Sequence, residues 1–355
     1  MSPPVSGKHR RPRAPRSGAP TRTSPNLHPP PPPAAHLPEL VRAAGRWRAA
    51  LFGPFGLEPD TDAYRLVNDA GDGLPGLSVD AYAGHLVVQV ARPEALALLP
   101  GLEEALQEQL RPHSMVCKLR YTRDGRGHLD EAPVAGAAPP ELLQVREHGL
   151  RFEVALLDGL HTGLFTDMRD ERARLRTLAR DRRVLNTFAY TGSFSVAAAA
   201  GGAAQVTSVD LVPGALERAQ RNFAANGFDP SAHRLARMEV LEYLRMAHRR
   251  GWRFDMIVLD PPTFASFDSG RWSAKREYPE LLSLALRVLD PGGLLWVAVN
   301  TEGIPAAQME RNIAGAAEAE GRAARMLALG GLPPDYPTPV GRPDLRYLKV
   351  WVIQL

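Results

Sequence analysis

Apolar and polar positions change their rhythm along the chain. Over residues 37–51 apolar side chains recur at helical spacing, with Leu40, Val41, Ala44, Trp47 and Leu51 on one side, which predicts an amphipathic helix. Short strand-like runs follow at 64–67, 77–81 and 86–91, then a helical stretch over 95–110 interrupted near Pro100. Further strand-like runs stand at 115–121, 142–145 and 152–156. This mixture predicts a small α+β domain over 37–160. Inside it, Asp72-Gly73-Leu74-Pro75-Gly76 has the composition of a plain turn.

Past residue 160 the pattern turns into regular strand–helix alternation. Strands are predicted at 184–189, 206–210, 237–240, 256–259 and 294–299. Helices are predicted at 170–180, 193–200, 213–226, 241–249, 278–289 and 306–320, the fifth closed by Asp290-Pro291-Gly292-Gly293. Pro213 stands in a first helical turn, where proline is tolerated. The runs 325–329 and 347–353, joined by a Pro/Gly-rich loop, predict a terminal antiparallel hairpin. Residues 161–355 therefore read as α/β: a doubly wound, mostly parallel sheet with an antiparallel edge.

Composition separates a third segment. Residues 1–36 carry Lys8, Arg10, Arg11, Arg13, Arg16 and Arg22 with no acid, and end in a proline run. Such a stretch cannot bury a core and is expected to be disordered. It reads either as a basic arm for nucleic-acid phosphates or as an inert linker or targeting leader. Its six cations exceed the net charge of +4, leaving −2 for all that follows, so the folded part is not strongly basic. A hydrophobic fraction of 44% supports a sizeable core. Cys117 is the only cysteine, which excludes an intramolecular disulfide and a cysteine-based metal cluster and is compatible with a reducing cytoplasm. No histidine pair has metal-ligand spacing, and no apolar run reaches membrane-spanning length. Neither a metal nor a membrane is expected, and the oligomeric state stays open.

The chemistry concentrates after the apolar run 254–259, at Asp260-Pro261-Pro262-Thr263-Phe264. A carboxylate and proline carbonyls offer acceptors on a stiff backbone, and Phe264 offers a flat face. Such a site suits a planar, nitrogen-bearing substrate; the competing reading is a Pro-rich turn with Phe264 in the core. Doubly wound sheets bind ligands beyond the carboxyl ends of their strands, where strand order reverses. The first and fourth strands of this sheet should flank that point, which brings the loop Phe188-Ala189-Tyr190-Thr191-Gly192-Ser193-Phe194 opposite the Asp260 motif. Gly192 would allow close backbone approach to a ligand. Asp210, ending the second strand, could accept ribose hydroxyls or cap a helix. Glu239, placed at the end of the third strand, could accept an adenine amine or be a solvated acid at a helix start. One glycine in the first loop falls short of the GxGxxG set that seats a pyrophosphate, which favours S-adenosylmethionine over a nicotinamide dinucleotide. Arg271, Trp272, Lys275 and Arg276 form a basic loop beside the crevice, a lid for RNA phosphates or a solvated loop.

Four segments together, YRLVNDAGDGLPGLSVDA from Tyr64, TGLFTDMR from Thr162, VLNTFAYTG from Val184 and DPPTF from Asp260, resemble bacterial class I S-adenosylmethionine-dependent methyltransferases of large-subunit (23S) ribosomal RNA. The resemblance runs from about residue 37 to 355. It implies a Rossmann-like methyltransferase domain behind a small accessory domain. It also implies that Asp167, Arg169, Phe188, Tyr190, Thr191, Gly192, Asp210 and Glu239 line the cofactor, and that Asp260, Pro261, Pro262 and Phe264 hold the target base. The chain departs from the members that methylate cytosine C5. Those begin with a PUA-type RNA-binding module, for which the leader here is too short. They also place a nucleophilic cysteine after the fifth strand, where this sequence reads Val297-Ala298-Val299-Asn300-Thr301-Glu302-Gly303. Cytosine C5 is a poor nucleophile unless a thiolate adds at C6. DPPTF, TGLF and the asparagine are closer to the branch that methylates guanine N7, the expected target. Cytosine C5, an exocyclic amine and a non-catalytic ribosome assembly factor on the same scaffold are the alternatives.

Overall fold

The computed structural model describes residues 30–55, 60–120, 131–159, 161–267, 270–301 and 303–355, without the side chains of 131–136, 264–267 and 270–271. The basic segment through residue 29 lies outside the described residues, and so do the side chains of Phe264 and Arg271.

Helix α1 (Leu37–Phe52) opens the fold and packs on a five-stranded sheet of order β1-β2-β3-β4-β5. Its strands are β1 (Ala63–Asn68), β2 (Leu77–Tyr82), β3 (His85–Val90), β4 (Ser114–Leu119) and β5 (Glu131–Gly136). Helix α2 (Leu99–Leu110) crosses from β3 to its parallel neighbour β4, while the other pairings are antiparallel. The helix face differs from the expected one. Val41 and Ala44 are buried, but Trp47 is exposed and Arg48 is 1% exposed. Arg48 survives burial because Asp72 takes it in a two-pronged ion pair at 2.7 Å and the carbonyls of Arg65 and Asp335 accept two of its other three hydrogens. The segment read as a plain turn therefore supplies a charge anchor, with Gly73 in the left-handed region at φ 75°.

A separate hairpin, β6 (Leu143–Glu147) and β7 (Leu150–Val154), follows. Its buried face, Val145, Phe152 and Val154, joins the core of the second sheet rather than that of the first. That second sheet has seven strands: β8 (Arg183–Thr187), β9 (Gln205–Asp210), β10 (Arg234–Arg237), β11 (Phe254–Leu259), β14 (Leu289–Val299), β15 (Arg325–Gly331) and β16 (Lys349–Gln354). A small hairpin, β12 (Phe264–Phe267) with β13 (Gly270–Ser273), leaves it after β11. The order β10-β9-β8-β11-β14-β16-β15 is the expected doubly wound arrangement, parallel through β14 and closed by antiparallel β16 and β15. Helices α3 (Arg169–Leu178), α4 (Ser193–Ala200), α5 (Pro213–Ala225), α6 (Val240–Arg249), α7 (Ala274–Val288) and α8 (Ala306–Ala319) cover it. Strands buried on both faces, such as Met256-Ile257-Val258-Leu259, read as continuous apolar runs for that reason.

Three boundaries move. The third parallel strand is 234–237, three residues before the expected position, because Arg-Leu-Ala-Arg is an edge strand with no fully buried residue. The apolar residues that suggested a strand begin α6 instead. Helix α7 starts at Ala274, not 278: Glu277 accepts the backbone N–H of Ser273 at the helix start, so Pro279 lies inside the helix. Lys275 and Arg276 thus sit on a first helical turn, not in a loop. Asp290–Gly293 belongs to β14 as an irregularity between Leu289, opposite Phe254, and Leu294, opposite Met256.

Candidate active site

Strand order reverses between β8 and β11, and a cavity of about 590 Å³ opens at their carboxyl ends. The loop after β8 carries unusual backbone strain, with Phe188 and Tyr190 at φ 51° and 49°, and Gly192 takes the left-handed region freely at 75°. Non-glycine residues at positive φ cost on the order of 1 kcal/mol or more each and cluster at functional sites. Phe188 and Tyr190 line the cavity, Phe188 against Trp272 at 5.2 Å and Tyr190 against Phe165 at 5.4 Å.

Thr191 and Gly192 do not line the cavity. Thr191 is buried, donating to the Gly163 carbonyl at 2.6 Å while its own carbonyl accepts from Asn222. A Cβ on Gly192 would stand 2.7 Å from the Cβ of Ala219, so the glycine serves close packing of the loop on α5. Gly192→Ala should cost about 1–3 kcal/mol through strain and overpacking, measurable by urea denaturation. Arg169 is likewise withdrawn. It is 2% exposed, forms a two-pronged ion pair with the fully buried Asp335, and lies over the Phe52 ring at 4.7 Å.

Four carboxylates line the cavity: Asp167, Asp210, Glu239 and Asp260. Asp210 accepts the N–H groups of Tyr190 (2.7 Å) and Val212 (2.9 Å), one on each oxygen, and each oxygen keeps an acceptor position. Glu239 caps α6 by accepting from Leu241 and Glu242 at 3.0 and 2.9 Å. It is the expected helix-start acid, and it also lines the cavity. Asp167 accepts from the Tyr347 hydroxyl at 2.8 Å, and burial pushes its pKa up from the usual carboxylate value. Burial and the neighbouring Asp167 push the Asp260 carboxyl up to about 7, against the opposing pull of Arg172. Among the described residues Arg172 is the one lining arginine, and its charge is taken by Glu147 at 2.6–2.7 Å.

This charge distribution tests the cofactor. An excess of carboxylates repels a pyrophosphate and favours a cationic sulfonium, while Asp210 and Glu239 offer acceptors for hydroxyl or amine hydrogens. The residues present fit S-adenosylmethionine.

Pro262 and Thr263 line the cavity beside Asp260, while Pro261 is buried behind them. The Thr263 hydroxyl donates to Asn300 Oδ1 at 2.8 Å, and the Pro262 carbonyl accepts from the Trp272 indole at 2.8 Å. Trp272 is 4% exposed, so it braces the motif from below and is not an exposed stacking surface. Lys275 and Arg276 are exposed, and Arg276 pairs with Glu277 at 2.7 Å. Sequence reasoning missed Phe165, Arg172, Asn186 and Asn300 as lining residues. Phe165 stands within TGLFTDMR, and Asn300 occupies the position after the fifth strand. Among the described residues, no group of three or more His, Cys, Asp or Glu could hold a metal.

The profile of the S-adenosylmethionine-dependent methyltransferase family matches residues 94–339. The chain belongs to this family. A "Ribosomal RNA large subunit methyltransferase" of Deinococcus radiodurans is 36% identical over 87% of this chain and 76% of its own length. A "Ribosomal RNA large subunit methyltransferase I" of Cronobacter sakazakii is 35% identical over 89% of this chain and 79% of its own length. The solved methyltransferase-like protein SMU.776, complexed with SAH, superimposes with a TM-score of 0.83 at 28% identity, covering 94% of this chain and 83% of that one. This methyltransferase is thus an enzyme whose cofactor is S-adenosylmethionine.

Proposed function

We propose that this methyltransferase modifies large-subunit ribosomal RNA, its target N7 of a guanine that is met unpaired or flipped out of its stack. The relatives' names support the substrate class. The single observation that carries the atom is Asn300, which lines the cavity at the carboxyl end of β14 and is tied to Thr263, where a C5 mechanism needs a thiol. Cys117 lies on β4 in the core of the first sheet, 3% exposed, its thiol pushed up to about 11 by burial. It offers no thiolate at neutral pH.

Bound S-adenosylmethionine supplies a methyl group on a cationic sulfur. The chain's residues have four tasks. Asp210 and Glu239 accept hydrogens from the nucleoside end, while Phe188 and Tyr190 form the walls between the strained loop and the motif. Pro262, Thr263 and Phe264 seat the base. Asp260 orients it and, when ionised, offsets the positive charge that develops as a purine nitrogen lone pair is consumed. N7 has no proton to lose, so no base is required and alignment dominates. Lys275 and Arg276 are proposed to meet RNA phosphates, and residues 37–160 to form the accessory RNA-facing domain. Among the described residues no helix is long and apolar enough to cross a membrane; we place the enzyme with its substrate in the cytoplasm.

Mass spectrometry of 23S rRNA nucleosides from a deletion strain should show loss of one 7-methylguanosine. RNA carrying 5-fluorocytosine should give no adduct that survives denaturation. A stable adduct, or loss of 5-methylcytosine, would sink the guanine reading. Failure to bind S-adenosylmethionine by calorimetry would instead favour a non-catalytic RNA-binding protein.

A further inference from the structure

A second cavity, about 290 Å³, adjoins the first. His161, Phe165, Asp167, Thr263 and Asn300 line both, so the two spaces meet beside the Asp260 motif. Its far wall comes from the five-stranded sheet: Arg65 on β1, Asp80 and Tyr82 on β2, Gln89 on β3. The sequence motifs assign those residues no ligand.

The hydrogen bonds fix what this wall can offer. Asp80, 2% exposed, accepts from Arg65 Nε at 2.6 Å and from Gln89 Nε2 at 2.5 Å. Arg65 also donates to Asn68 at 3.0 Å and lies over the Tyr336 ring at 4.5 Å. Its charge is therefore used within the wall. Because a carboxylate can only accept, Asp80 holds the Gln89 amide with its N–H₂ inward, which leaves Gln89 Oε1 as an acceptor. That oxygen takes no hydrogen bond among the described residues. At the junction, Asp167 uses Oδ2 for Tyr347, and its Oδ1 takes none among the described residues. Phe165, 41% exposed, adds an aromatic face.

We propose that the second cavity reads the target base, taking the Watson–Crick edge of a guanine whose N1–H and 2-amino group donate to Asp167 and Gln89. This rests on the guanine assignment above and adds how the base is chosen. Guanine carries N7 on one edge and its N1–H and 2-amino donors on the other. With N7 toward the first cavity, those donors face the second. A cytosine turned with C5 toward the first cavity would bring its N3 and O2 acceptors against Asp167 Oδ1 and Gln89 Oε1, leaving those two oxygens without donors even though Arg120 and Tyr82 also line the cavity. The five-stranded sheet is then part of the active site as well as an RNA-facing accessory.

The test uses the full chain and synthetic RNA spanning the modified nucleotide, once located, with guanosine or inosine at that position. Inosine keeps N7 but lacks the 2-amino group. Wild-type kcat/KM should fall about 10- to 100-fold on inosine. Gln89→Leu should lower guanosine turnover about 10-fold and bring the two substrates within about 3-fold of each other, with calorimetric S-adenosylmethionine affinity unchanged. Equal wild-type rates on the two RNAs overturn the proposal, and so does undiminished discrimination in Gln89→Leu. Should that variant not fold, the wild-type comparison decides alone. Either result leaves 7-methylguanosine as the product, whereas 5-methylcytosine as the product overturns the guanine assignment itself.

Discussion

Replacing Asp260 by Asn is expected to lower kcat/KM for RNA by about 10²–10³-fold while changing S-adenosylmethionine affinity by less than about 3-fold. The same substitution should make the protein more stable above neutral pH. Both expectations follow from a carboxyl that burial and Asp167 push up to about 7. The acid form is favoured in the folded protein, so folding raises this pKa above the unfolded value near 3.8. The stabilisation tied to that proton is complete below pH 3.8 and is lost as pH rises through 7. A shift of about three units corresponds to about 4 kcal/mol of penalty in the ionised state. Asn carries no such penalty, so its advantage should appear in urea denaturation at pH 8 and vanish at pH 3–4. Activity runs the other way. If the ionised carboxylate offsets charge on the purine, wild-type kcat/KM rises with pH through an inflection near 7, and Asp260→Asn flattens it. Loss of activity with no gain in stability at pH 8 would show that Asp260 is not a buried, charge-penalised carboxylate.

The parts legible in the sequence were those whose signal is local. Continuous apolar runs such as 254–259 mark doubly buried strands, and their alternation with helices places both crevice loops. Asp210 and Asp260 follow from strand ends alone. What stayed hidden depends on pairing across long separations. The edge strand β10 carries too little apolar surface to announce itself, so the third strand is expected three residues late and Glu239 is left open between a strand end and a helix start. Trp272 reads as an exposed aromatic in a basic loop, yet the β12–β13 hairpin turns it under Pro262. Gly192 suggests ligand approach, but its nearest crowding comes from Ala219, 27 positions away in sequence. The second cavity leaves no local signal at all, because Asp80 and Gln89 acquire meaning only once β2 and β3 pair and the two sheets meet.

Arg169→Met is expected to destabilise the fold by about 3–5 kcal/mol, the usual consequence of leaving one partner of a buried ion pair charged and alone. The family resemblance placed Arg169 at the cofactor, and the structure gives it a different partner. Asp335 is fully buried, accepts both guanidinium prongs of Arg169, and accepts the backbone N–H of Arg65 at 2.9 Å. Its own carbonyl accepts from Arg48, which is bound in turn to Asp72. One aspartate from the loop between β15 and β16 thus ties α3 to α1 and β1, joining the two sheets behind the cavities. Removing the arginine leaves that carboxylate with the Arg65 N–H as its main remaining donor. Denaturation midpoints should fall sharply, while the folded fraction at low temperature keeps S-adenosylmethionine affinity within about 3-fold of wild type. Adding Asp335→Leu should recover only part of the loss, because the Arg65 N–H then loses its acceptor. A stable Arg169→Met protein with strongly weakened cofactor binding would restore Arg169 to the cofactor site and remove the ion pair as its reason for being there.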